Sequence, residues 1–100
     1  MNDADKLSKA EVHLREVWKS LLREQQATLA RLVEGVLAEL TDDALIPAQR
    51  VKCAAGEWRA VRNCPRGLSD FGIWRDYETE RLSLNRDFDA HRNAVDRLFA

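Results

Sequence analysis

From Val12 to Leu40, apolar residues recur at steps of three and four through Leu14, Val17, Trp18, Leu21, Leu22, Leu29, Leu32, Val33, Val36 and Leu37. No proline interrupts the chain before Pro47. That spacing paints one face of a helix. Ser8-Lys9-Ala10-Glu11 has the form of a capping box, in which the hydroxyl and the carboxylate each satisfy the other's free backbone N–H, and Leu7 with Val12 forms the accompanying hydrophobic staple. Residues 1–7 are therefore expected to be a flexible lead-in. Gly35 is the one glycine of the stretch, and it costs about 1 kcal/mol without forcing a break. A continuous helix over 9–40 spans about 48 Å at about 1.5 Å per residue. A globule of 100 residues has a radius of gyration of about 13 Å. Either the chain breaks near Gln25-Gln26, or the molecule is elongated and its stripe needs cover beyond its own partner helices.

The remainder is also helical in pattern. Thr41-Asp42-Asp43 closes the first helix, and Pro47 suits the first position of a second one over 47–63. Its apolar face is thin, comprising Val51, Ala54, Ala55, Trp58 and Val61, and Cys64-Pro65-Arg66-Gly67 ends it. Ser69 or Asp70 is positioned to cap a third helix running to the C-terminus, with Ile73, Tyr77, Leu84, Phe88, His91, Val95, Leu98 and Phe99 on one stripe. The run Leu82–Asp87 is weak in helix propensity, so a kink at 83–87 is expected. Charged residues make up 33% of the chain, with only 4 Gly and 2 Pro, a balance that suits helices and lacks the turn signals of a β-sandwich. The fold class expected is all-α: an elongated three-helix bundle or helical hairpin, long–short–long, in one domain and paired as a homodimer.

Net charge is −1, so the chain as a whole is no polyelectrolyte binder. The charge is unevenly placed, however: residues 47–67 hold five basic side chains against Glu57 alone, between two acidic flanks. No secretory pattern opens the chain and no run approaches a membrane span, so a cytoplasmic setting with reduced thiols is expected. Cys53 and Cys64 lie eleven apart, about 16 Å along a helix, too far for a disulfide. Neither they nor His13 and His91 have the spacing of a metal site. No cofactor is expected.

Catalytic patterns fare no better. Asp70-Phe71-Gly72 spells the magnesium-binding tripeptide of protein kinases, but the glycine-rich loop, strand lysine and catalytic-loop motif that this chemistry requires are missing. His91 sits at the edge of an apolar stripe with Asp87 one turn earlier, the pattern of a satisfied core histidine; His13 reads as solvated. Glu78 and Glu80, two apart, diverge on a helix. The chain is not expected to be an enzyme.

Two binding readings remain. Lys52, Arg59, Arg62 and Arg66 beside Trp58 form a set that can contact phosphates and stack a base, although the same cations can simply neutralise the neighbouring acidic helices. Trp18 and Leu22 on the first helix, with Phe71, Ile73, Trp74 and Tyr77 at the start of the third, exceed what one inward face can absorb. Aromatic anchors among charged surroundings are the usual core of protein–protein contacts. The leading expectation is a non-enzymatic helical interaction module, a small cytoplasmic regulator or inhibitor that binds a larger protein or a second copy. The alternative is nucleic-acid binding through residues 50–66.

Overall fold

Four helices, not three, make up the chain. The computed structural model describes residues 1–100: α1 (Asp3–Arg23), α2 (Ala27–Leu40), α3 (Pro47–Asn63) and α4 (Glu78–Leu98), with no strand. The first difference from the sequence reading lies at Gln25, whose φ of 60° is left-handed. Gln25 N–H donates to Leu22 O at 3.0 Å and Gln26 N–H to Leu21 O at 2.8 Å. This nested pair is the Schellman ending of a helix. Glycine is the usual residue at its left-handed position; a glutamine there leaves no mark in the sequence, so one long stripe reads where the chain makes a hairpin.

The N-terminal start also moves. Asn2 Oδ1 accepts from Asp5 N–H at 2.8 Å, and Asp3 and Asp5 fill the first turn. Carboxylates there favour the positive end of the helix dipole, so the helix begins ahead of Ser8 and the apparent capping box lies within it. Ala10, Leu14, Val17 and Leu21 of α1 are buried against Leu29, Ala30, Val33, Val36, Leu37 and Leu40 of α2. The stripe thus covers itself. The molecule measures 45 × 25 × 19 Å, with a radius of gyration of 13.7 Å.

The second helix falls where the sequence puts it. Ile46 is extended (φ −72°, ψ 158°), Pro47 opens α3, and Ala54, Ala55, Trp58 and Val61 face inward. The third differs: residues 64–77 are irregular and α4 begins only at Glu78, running unbroken through 83–87. Neither Ser69 nor Asp70 caps a helix. Ser69 Oγ instead donates to Arg62 O at 2.6 Å. Asn85 Oδ1 accepts from Ile73 N–H, and its Nδ2 donates to Ile73 O, both at 2.8 Å. One amide thus satisfies both backbone groups of Ile73 and holds the segment extended. Leu68 and Ile73 plug into the core, and Phe71 meets Phe88 edge-on, with ring centroids 5.3 Å apart.

Turn chemistry at the end of α3 is divided between two residues. Gly67 N–H donates to Cys64 O at 2.8 Å around Pro65 and Arg66, with Arg66 at φ 55°. Gly67 is needed for a different reason: a Cβ on it meets Cys64 O at 2.5 Å and Val61 O at 2.8 Å, both backbone atoms. Gly67→Ala is expected to cost about 1–3 kcal/mol through that overlap. Gln25→Gly, which relieves a left-handed non-glycine residue, is expected to gain about 0.5–1 kcal/mol. Urea unfolding of the two variants checks the opposite signs.

Candidate functional site

No polar or charged side chain is fully buried, so nothing in the core resembles a desolvated acid, base or nucleophile. The surface concavities are open hollows such as the one between Leu7, Val12, Leu40 and Arg50. No three His, Cys, Asp or Glu side chains converge where a metal ion can sit. Cys53 and Cys64 are free and exposed. The two histidines, 78 residues apart, meet: Nδ1 of His13 lies 2.9 Å from Nδ1 of His91. The partner of His91 is therefore His13 and not Asp87, and no local pattern reveals it.

The basic segment divides. Trp58 is buried and donates its Nε1–H to Asp96 Oδ1 at 2.7 Å, so it offers no face on which a base can stack. Arg62 takes the same carboxylate in a fork, Nε to Oδ1 at 3.1 Å and Nη2 to Oδ2 at 2.8 Å, and its Nη1 reaches Ser69 Oγ at 3.0 Å. This node joins α3, α4 and the segment between them. Lys52, Arg59 and Arg66 remain exposed on or beside α3 and form no ion pair.

The aromatic set divides too. Ile73 is core, and Trp18 and Phe71 are half-buried against it. Leu22, Trp74 and Tyr77 stand outside it, with Trp74 at 68% and Tyr77 at 78% exposure. Leu82, at 59%, joins Trp74 and Tyr77 within nine residues of sequence; the sequence pattern hides it because the inner stripe runs through Leu84, two residues on. Arg81 lies over the Trp74 ring, 4.7 Å from its centroid, a cation–π contact that orients the indole while leaving it wet. The tract 74–82 thus presents two aromatics and a leucine on an irregular segment and the first turns of α4.

Arg75 fixes that tract to the body. It forks onto Glu24, Nη1 to Oε1 at 2.6 Å and Nη2 to Oε2 at 2.7 Å, with a further contact to Glu80 at 3.4 Å. Glu24 is the C-cap of α1, and its side chain is only 11% exposed. The bonds from Arg75 hold its carboxyl below the usual range, burial opposes them, and Arg23 adds to the lowering. In turn, Glu24 raises the pKa of the Arg75 guanidinium. Because the folded pKa of Glu24 is depressed, its contribution is present above the unfolded value of about 4.5 and is lost as pH falls through the folded one. Compared with protein families, characterised proteins and solved structures, the chain has no match.

Glu24→Gln is expected to lower the melting temperature at pH 7 by about a few degrees, the response of a domain of this size to one modest lost contact. The deficit is expected to shrink as pH falls from 7 toward 3, because the natural carboxylate is itself protonated as pH drops through its depressed folded pKa. Calorimetry at the two pH values checks it.

Proposed function

We propose that this chain is a non-enzymatic interaction module whose contact surface is the tract Trp74–Tyr77–Leu82. The observation that supports this most is the exposure of both Trp74 and Tyr77 on a segment that is otherwise held tightly in place. Large aromatics presented on a fixed backbone bind at low entropic cost, whereas the same side chains on a mobile loop lose part of that gain to ordering. The reading extends to a small cytoplasmic regulator or inhibitor docking on a larger protein, or to a homodimer in which the tract faces a second copy. None of the helices is long and apolar enough to cross a membrane.

A photo-crosslinking residue placed at Tyr77, in cells that express the chain naturally, tests this. A discrete adduct at 77 and none at the exposed control Ala38 is expected, and the adduct's mass separates a second copy from a different protein. Equal labelling at both positions, or none at 77, contradicts the proposal. Once a partner is in hand, Trp74→Ala and Tyr77→Ala are each expected to weaken binding by about 1–3 kcal/mol with helicity unchanged.

A second reading rests on Lys52, Arg59 and Arg66, which are exposed and form no ion pair. Nucleic-acid binding there requires an affinity that falls by about 0.7–0.9 log units per contacted phosphate and log unit of salt. Retardation of DNA or RNA that is lost in Lys52→Ala/Arg59→Ala supports it, and no retardation at low salt ends it.

A further inference from the structure

His13 on α1 and His91 on α4 face each other across the seam between these helices, with ring centroids 5.2 Å apart and planes inclined at 46°. An Nδ1-to-Nδ1 separation of 2.9 Å is a hydrogen-bond length, so one ring presents Nδ1–H and the other a lone pair. That bond is the one polar contact either ring makes, and both rings are half-buried.

The charged surroundings are mixed. On α1, Lys9 and Glu16 lie about one turn to either side of His13; on α4, Asp87 lies one turn before His91 and Arg97 closes the other end. Met1, with its amino terminus, lines the hollow beside His13 together with Lys9, Ala94, Arg97 and Leu98. On the far side Glu16, Arg23 and Asp87 share a hollow with His91. Neither hollow takes a residue from α2 or α3. No carboxylate pairs with either ring, so no acidic partner is in place for a second positive charge.

We propose that the His13–His91 pair is a pH-sensitive latch on the α1–α4 seam, closed when the pair carries at most one added proton and released by the second. With no added proton, one ring donates from Nδ1 and the other accepts. The first added proton converts one ring to imidazolium, and its Nδ1–H still donates to the remaining lone pair. The second occupies that lone pair, leaving two donors, two positive charges and no acceptor. The direction at His13 agrees: burial first, then the charges of His91 and Arg97, hold its pKa below the usual 6.5. A folded chain that resists a proton which the unfolded chain accepts is fully stabilised above the unfolded pKa. It loses that stability as pH falls through the folded one. The Glu24–Arg75 contact responds only below about 4.5, so the two windows separate. The latch stands independently of what docks on Trp74.

Imidazole and backbone-amide NMR of the full chain between pH 8 and 5, with thermal unfolding in parallel, tests the latch. Two separated titration steps are expected, the later one below the ordinary histidine range. Amide shifts of α1 and α4 along the seam follow that later step, and the melting temperature falls by on the order of 5 °C. In His91→Gln the His13 titration returns toward its ordinary value. Two ordinary, single-step titrations in the natural chain, or seam amides that ignore the later step, overturn the proposal even if the variant does not fold. An unchanged His13 titration in folded His91→Gln overturns it too.

Discussion

The structure depends on a single left-handed residue. A stripe of apolar side chains running from Leu14 to Leu40 cannot be buried by one straight helix within a chain of this length, because the rod is longer than the body it must serve. Gln25 at φ 60°, with the two nested hydrogen bonds behind it, reverses the chain and lays α2 back on α1. The two halves of the stripe then become each other's cover. α3 and α4 complete the enclosure from two sides, so that Leu14, Val17, Val33, Val36 and Trp58 share one core. Much of the demand for an external partner, which a continuous helix imposes, is met inside the molecule.

What is left uncovered is localised by polar contacts, not by lack of core. Asn85 pins Ile73, Arg92 donates to Leu68 O at 2.6 Å, Arg62 holds Ser69, and Arg75 ties the segment to the end of α1. Four side chains with directional donors thus shape a stretch of backbone without helical bonds. Of the apolar residues in this stretch, Leu68 and Ile73 point inward; Trp74 and Tyr77 are turned out. Nothing in the folding of the isolated chain requires those two aromatics to be large, which is why they are the residues proposed for an interface. The basic outer face of α3 carries less of the case, since its strongest member, Arg62, is committed to Asp96.

Helical class, the position of α3 and most of the core were legible because hydrophobic period and proline placement act locally. Pro47 fixes φ wherever it sits, and the Ala54–Trp58–Val61 spacing has one inward reading. The break at 25 was half visible: the length of the rod demanded it, yet no glycine marked it. The late start of α4 was not visible, because the bonds that hold 64–77 out of helix come from residues 62, 75, 85 and 92. Ser69 is a good cap by chemistry and is used instead as a tie. The same holds for the candidate surface. Trp74 and Tyr77 were singled out by sheer size and crowding, but which members of the cluster turn outward is decided by Asn85 on Ile73, a contact across twelve residues. The histidine pair lies wholly beyond local pattern, since antiparallel packing of the first and last helices creates it.

The three indole N–H protons read this account directly, because each tryptophan occupies a different environment: Trp58 bonded to Asp96, Trp18 with its Nε1 enclosed, and Trp74 in solvent. Indole hydrogen exchange in a dilute sample is the measurement. Slow exchange at two sites and immediate exchange at Trp74, which slows when a partner or a second copy engages, is the predicted result. Protection of Trp74 in the isolated dilute chain, or exchange at Trp58 as fast as at Trp74, contradicts it.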